Sequence, residues 1–111
     1  MTNPRNAKLA DQIKSILAST IDLKVKDPRK VFITITDVRL TGDNREATVF
    51  YTVLGDESAR EGSAAALRSA KGMLRTAVGQ QLQLRHTPTL EFVLDATEDE
   101  ARNLEDLLAR V

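Results

Sequence analysis

The chain has 111 residues, 41% of them hydrophobic and 29% charged, and its 16 basic and 16 acidic residues cancel to a net charge of zero. This predicts one globular domain with a single modest core rather than a disordered chain. It contains no cysteine, no signal-peptide core and no apolar run near the roughly 18 residues that cross a membrane, so we expect a cytoplasmic protein without disulfides or a membrane partner.

The net charge of zero hides a division along the chain. Residues 1–90 carry 14 Lys and Arg against nine Asp and Glu, a net charge of +5, whereas residues 91–111 carry two against seven, a net charge of −5. A basic body with an acidic end can bind a polyanion through one face. The same polarity also occurs in proteins that bind no nucleic acid, so both interpretations stay open here.

The first predicted element is a helix from about Arg5 to Leu23. Its apolar residues recur at the spacing of one helix face, and Asn3 and Pro4 suit the N-cap and the first turn. The apolar face comprises Leu9, Ile13, Ile16, Leu17 and Ile21. A charged loop, residues 24–30, follows, because Pro28 prevents the helix from continuing.

Two strands come next. Val31–Leu40 is rich in β-branched residues, but its apolar positions change parity, which predicts a bulge near Thr36 and Asp37. Residues 41–45 have turn composition, and Ala47–Val53 then alternates regularly between apolar and other side chains. The two strands should therefore form an antiparallel hairpin.

A helical stretch opens at Glu57 or Ser58, and its most distinctive part is acid-free. Ser63–Pro88 contains no Asp or Glu and has a glycine, Gly72, inside Ala70-Lys71-Gly72. Glycine in a helix interior costs about 1 kcal/mol relative to alanine, so we predict a kink or a helix-turn-helix there. The alternative is one long amphipathic helix that tolerates the glycine.

The chain ends with a predicted strand and a predicted helix. The strand is Leu90–Leu94, and Thr97 with Glu100 forms a capping box that opens a helix over about 97–111. One face of that helix would carry Ala101, Leu104, Leu107, Leu108 and Val111. No internal repeat or linker is visible, so residues 1–111 are predicted to form one domain.

Catalysis finds little support in these residues. The one histidine, His86, precedes a predicted strand in a loop, where a surface position is far more common than a general base. Four aspartates lie at predicted turns and strand ends, where the carboxylate caps nearby backbone amides: Asp27, Asp37, Asp43 and Asp56. No calcium loop, zinc-binding histidine pair or phosphate-binding P-loop is present, so we predict no enzyme, metal or cofactor.

Basic side chains form three groups that would converge if the first helix and the acid-free helix packed on the same side of the sheet. The groups are Arg5, Lys8 and Lys14; Lys24, Lys26, Arg29 and Lys30; and Arg68, Lys71, Arg75 and Arg85. The alternative for any single group is a solvated face. The aromatic residues Phe32, Phe50, Tyr51 and Phe92 lie in predicted strands, where core packing is the default. Any nucleic acid would then be bound through backbone and shape more than through its bases.

The order of elements resembles a type II KH domain, in which a broken helix pair binds RNA. The usual Gly-x-x-Gly loop is absent, and Ala70-Lys71-Gly72 in its place resembles the ribosome-binding factor A family, whose KH-like domain has an alanine-centred kink before a glycine. Other short motifs agree in order and spacing: Lys26-Asp27-Pro28-Arg29, Ile33 to Val38, Ala47 to Tyr51, Leu74-Arg75, Leu84-Arg85, Pro88 and Leu90-Glu91-Phe92. The resemblance covers about residues 5–110.

This resemblance implies an α+β fold, with a three-stranded sheet, helices on one face and a C-terminal helix. It also implies a non-enzymatic, monomeric assembly factor that binds the small ribosomal subunit and 16S rRNA, assists late maturation near the 5′ end of that RNA and supports growth in the cold. The implied RNA-binding residues are Lys8, Lys14, Arg29, Lys30, Arg68, Lys71, Arg75 and Arg85, and the implied kink is Ala70, Lys71 and Gly72.

A second function class stays open. A small α+β protein-interaction or ligand-regulatory module could use the same basic patch to meet an acidic protein. Steep salt dependence would separate the two classes, because phosphate contacts release counterions and protein contacts need not.

Overall fold

The computed structural model describes residues 4–95, which form two helices and three strands. In chain order these are α1 (Pro4–Lys24), β1 (Ile33–Leu40), β2 (Glu46–Val53), α2 (Glu57–Leu82) and β3 (Thr89–Leu94). The predicted helix over 97–111, and Asn3 as the proposed N-cap of the first helix, lie outside this range. Neither α1 nor α2 is apolar enough over a sufficient length to cross a membrane.

The sheet has the order β1-β2-β3 and confirms the predicted hairpin and bulge. Strands β1 and β2 are antiparallel, and β2 and β3 are parallel. The register shifts between Ile35, which pairs with Tyr51, and Asp37, which pairs with Phe50. Thr36 is therefore the extra residue of a bulge, and this shift lets apolar residues on both sides of it face the same core.

The turns depend on aspartate side chains, as predicted. In the hairpin turn, the Asp43 carboxylate accepts hydrogen bonds from the Thr41 hydroxyl at 2.7 Å and from the Arg45 amide at 3.1 Å. Asp56 is the N-cap of α2 and accepts from the Ala59 amide at 2.9 Å. These carboxylates have structural partners in the backbone, which accounts for their positions.

Both helices pack on one face of the sheet and build one hydrophobic core with it. The most deeply buried apolar side chains are Ile13, Leu17 and Ile21 of α1, Leu67, Leu74 and Val78 of α2, and Val49 and Leu90 of the sheet. Full burial of one such side chain stabilises a fold by about 1.5–3 kcal/mol. Convergence of the basic groups requires both helices to lie on the same side of the sheet. The structure meets this condition.

Helix α2 corrects one expectation. It runs from Glu57 to Leu82 as a single helix of 26 residues, so an interruption at Gly72 is wrong. The apolar stripe continues through this point, because Leu67, Leu74 and Val78 are all fully buried on one side of the helix. Burying that stripe outweighs the roughly 1 kcal/mol that a glycine costs. A bend of the helix axis at Ala70–Gly72 stays a prediction.

The start of β1 corrects another expectation. The strand begins at Ile33, which pairs with the last residue of β2, Val53, so the residues before it have no full strand partner. Val31 is 42% exposed and Phe32 is 80% exposed, and the predicted core position of Phe32 is wrong. One hydrogen bond of 3.1 Å, from the Leu54 amide to the Phe32 carbonyl, extends the pairing.

Candidate RNA-binding face

Three cations form a stripe along α2. Arg68, Lys71 and Arg75 are spaced at i, i+3 and i+7, so they lie on one side of the helix over about 10 Å, and all three are exposed. Gly72 is exposed between them, and a Cβ atom placed on it would meet no other atom within 4 Å. We call the side chains of Arg68, Lys71 and Arg75 the basic stripe. A ligand can approach the helix backbone closely in the middle of this stripe.

Arg75 also has a structural task. Its Nη2 donates to the Thr87 carbonyl at 2.9 Å, and its Nε donates to the Pro88 carbonyl at 3.2 Å, so this side chain fastens the loop before β3 to α2. An open cleft of about 530 Å³ lies beside it, lined by Gly72, Arg75, Thr76, Arg85, His86 and Thr87. Two guanidinium groups and no carboxylate line this cleft, which favours an anionic group over a cationic one.

Arg29 is brought to the basic stripe but is already paired. Its Nε donates to the Asp27 carboxylate at 2.9 Å, and its Nη2 donates to the Ser69 hydroxyl at 3.2 Å. Ser69 follows Arg68, so the structure does place Arg29 beside the stripe. Hydrogen bonds from the Arg29 side chain and backbone hold the pKa of Asp27 at about 2, below its ordinary value of 3.8. The charge of Arg29 is thus largely balanced within the protein.

The loop that carries Arg29 packs against the first half of α2 through two small residues. A Cβ atom at Gly62 would lie 2.8 Å from the Arg29 carbonyl oxygen, so backbone meets backbone there. The buried Ser63 hydroxyl accepts a hydrogen bond from the Val31 amide at 3.4 Å. Sequence reasoning did not single out these positions, although the run of small residues from Gly62 to Ala66 is the signal that could have found them.

Lys30 is directed away from the basic stripe. Its ammonium group donates to the Ile21 carbonyl of α1 at 2.8 Å, close to the end of that helix. The last carbonyls of a helix lack partners within it, and a cation there also suits the negative end of the helix dipole. The side chain that was predicted to bind RNA is therefore engaged in completing α1.

Of the two predicted lysines of α1, only Lys8 lies near the candidate site. Lys8 is exposed, and its neighbour Leu9 lines a cleft of about 230 Å³ together with Arg85 and His86, which places the first half of α1 near Arg85. Lys14 is half-buried and shares no described cleft with the basic stripe. Over residues 4–95 no group of three or more His, Cys, Asp or Glu could hold a metal ion.

Comparison with known proteins agrees with this architecture. The family model described as ribosome-binding factor A matches residues 5–108. The chain belongs to this family. It is 59% identical over 108 residues to ribosome-binding factor A of Cutibacterium acnes, covering 97% of this chain and 76% of that protein.

Solved structures of the family share the fold. The crystal structure of ribosome-binding factor A from Thermus thermophilus is similar with a TM-score of 0.71 and 32% identity, covering 80% of this chain and 94% of that one. A homology model of the Thermus thermophilus factor, fitted into the cryo-EM map of a complex with the 30S subunit, gives a TM-score of 0.68 and 32% identity, covering 81% of this chain and 94% of that one. The fold is accordingly α+β and KH-like.

Proposed function

We propose that this protein is an assembly factor that binds the small ribosomal subunit and contacts 16S rRNA through α2. The observation that carries the proposal is the exposed, acid-free stripe of Arg68, Lys71 and Arg75, extended by Arg85 across the adjoining cleft. A homology model of the relative from Thermus thermophilus has been fitted into the cryo-EM map of a complex with the 30S subunit, and this supports the same partner for the present chain.

The remaining predicted site residues have graded roles in this proposal. Lys8 extends the RNA-binding surface from α1, next to Arg85, and Lys14 contributes at its margin. Arg29 contacts RNA only when its side chain shares its hydrogen bonds between Asp27 and a phosphate, or leaves Asp27 for the phosphate. Lys30 acts chiefly by donating a hydrogen bond to the Ile21 carbonyl near the end of α1. The segment Ala70, Lys71 and Gly72 is where the axis of α2 bends to fit the RNA.

The mode of recognition follows from the aromatic residues. Tyr51 and Phe92 pack edge to face, with ring centroids 6.5 Å apart, and both contribute to the protein core. They offer no stacking platform for bases, and no Phe or Tyr of the described range lines the cleft beside the basic stripe. The RNA is therefore recognised by its backbone and shape. The protein then acts without catalysis, as a cytoplasmic monomer with one KH-like domain that assists late 16S rRNA maturation near the 5′ end and growth in the cold.

The proposal is tested by removing two charges from the basic stripe. In the double variant Arg68→Ala, Lys71→Ala we expect the affinity for purified small subunits to fall at least about tenfold, and the slope of log affinity against log salt to decrease by about one per lost phosphate contact. Co-sedimentation at several salt concentrations measures both. Stability should change by no more than about 0.5 kcal/mol, because both side chains are exposed.

A matched control removes the same amount of charge elsewhere. Arg39 and Arg45 are 74% and 73% exposed and lie outside α2, on β1 and in the hairpin turn. The variant Arg39→Ala, Arg45→Ala should therefore keep subunit binding close to that of the unmodified protein. Equal losses in both double variants would reject α2 as the binding face, and binding without salt dependence would favour a protein-interaction module instead.

A further inference from the structure

No helix of the range 4–95 packs on the face of the sheet opposite α1 and α2, where the Arg39 guanidinium lies over the Phe50 ring, 5.2 Å from its centroid. Alternation along β2 places Phe50 and Thr52 on this open face, because Val49, Tyr51 and Val53 are buried on the other. The exposed apolar side chains on the open face are Phe32, Leu54 and Val93, which are 80%, 61% and 37% exposed.

These residues lie in one strip along the open face, as two apolar pairs separated by polar side chains. Phe32 and Leu54 are neighbours through their backbone hydrogen bond of 3.1 Å, and Val93 is the register partner of Phe50. The paired residues Thr34 and Thr52 lie between the two apolar pairs. From Phe50 to Leu54 the strip is about 13 Å long, and three strands make it about 10 Å wide, which is the width of one α-helix.

The chain leaves the last strand on this same face. Leu94 turns towards the core, so the next residue, Asp95, faces the open side. Its amide donates to the Tyr51 carbonyl at 2.7 Å, and its carboxylate accepts from the Thr36 hydroxyl at 2.9 Å. Residue 96 therefore starts from a point that is tied to both β1 and β2 on the open face.

The sequence that follows has the composition of a cover for this strip. Residues 97–111, if helical, span about 22 Å, enough to cross the sheet. Leu104, Leu107, Leu108 and Val111 recur at the spacing of one helix face, and residues 96–111 carry five acidic and two basic side chains. One face of the segment is thus suited to an apolar surface and the other to solvent.

We propose that residues 97–111 pack across the open face as an amphipathic helix, with their leucines against Leu54 and Val93 and beside the pair that Arg39 forms with Phe50. The occupant is this chain's own segment because it begins on that face and is long enough to cover it. The acidic side chains then lie on the side of the sheet opposite the basic stripe of α2. A chain with no net charge becomes a molecule with one basic and one acidic side, which orients it on a polyanion.

Engineered disulfides in the full chain test the position, since the chain has no cysteine of its own. We expect Leu107→Cys to form an intrachain disulfide with Val93→Cys several-fold more completely than with Met73→Cys under the same mild oxidation. Val93 and Met73 make a matched pair, because they are 37% and 41% exposed but lie on β3 and α2, on opposite sides of the molecule. Non-reducing electrophoresis and mass spectrometry measure the intrachain bond.

A second measurement does not depend on the choice of cysteine pair. A nitroxide on Glu105→Cys in the full chain should reduce the amide signals of Thr52 and Val93 more than those of Met73 and Thr76 on α2. Equal disulfide yields, equal signal losses or stronger losses on α2 would overturn the proposal. A disulfide that forms only between two molecules would also overturn it, and would identify a second copy of the chain as the occupant.

Discussion

Two regions of α2 contain a glycine in the same helical conformation but use it differently. In the contact region, Gly62 and Ser63, the helix backbone touches the loop that carries Arg29, and a Cβ atom at Gly62 would lie 2.8 Å from a carbonyl oxygen. In the open region, Ala70–Gly72, nothing lies within 4 Å of the same position on Gly72. In both regions glycine lowers helix stability by about 1 kcal/mol relative to alanine, but only Gly62 allows a close packing contact that offsets this cost.

The difference teaches how to separate a structural glycine from a functional one. Gly62 is explained by close packing inside the protein, and so is Gly79, where an added Cβ atom would approach the Thr87 hydroxyl. Gly72 has no such explanation within residues 4–95. Its place in the middle of the basic stripe leaves close approach of a ligand, or bending of the axis, as the use of this glycine.

The largest expected effect comes from filling the contact region. Gly62→Ala should destabilise the protein by about 1–3 kcal/mol, because the new methyl group meets rigid backbone at Arg29 rather than a side chain that can turn away. Urea denaturation followed by circular dichroism measures the free energy of unfolding. An unchanged midpoint would mean that the loop moves away without cost and that the contact region is not rigid.

The same substitution in the open region should have the opposite effect on the free energy of unfolding. Gly72→Ala meets no atom, and Gly72 is not among the residues with positive φ, so the variant should be more stable by about 1 kcal/mol. Affinity for small subunits should nevertheless fall, if the RNA approaches the backbone here or the helix bends. Greater stability with full binding would show that Gly72 has no part in RNA recognition.

The smallest expected effect concerns the pH dependence of stability, through the loop that packs against the contact region. The pKa of Asp27 is about 2 in the folded protein because Arg29 donates hydrogen bonds to it, so the pair stabilises the fold above the ordinary pKa of 3.8 and this contribution is lost as the pH falls towards 2. Thermal denaturation between pH 6 and pH 2 should show a smaller acid-induced decrease in Asp27→Asn than in the unmodified protein. Identical pH profiles would mean that the pair exists without affecting stability.

Particular elements show which sequence signals were sufficient. The bulge at Thr36 could be predicted because β-strand alternation has a strict period of two, and only an extra residue keeps Ile35 and Val38 on the same face. The break at Gly72 was wrong as an interruption because a local propensity of about 1 kcal/mol was weighed without the burial of Leu67 and Leu74 on either side. Phe32 is exposed rather than in the predicted core because the full pairing of β1 with β2 ends at Ile33 and Val53, an end that the sequence does not mark.

The candidate site was predictable as a set of charges but not as an arrangement. The acid-free stretch and the helical spacing of Arg68, Lys71 and Arg75 are properties of the chain itself, because a helix fixes which residues share a side. The partners of Arg29, Lys30 and Arg75 could not be read from the chain. Each is bonded to a group nine to 40 residues away in addition to any local partner, and long flexible side chains can reach many such groups.

By itself the sequence determined the element types, the hairpin with its bulge, the absence of cysteine chemistry and the identity of the basic helix, because these follow from periodicities of 2 and 3.6 residues and from composition. Tertiary structure alone decided that α2 continues through Gly72, that Gly62 touches Arg29, and that no helix of residues 4–95 covers the second face of the sheet. Those features depend on which surfaces meet, and the meeting of surfaces distant in the chain is settled by burial and close packing rather than by local preference.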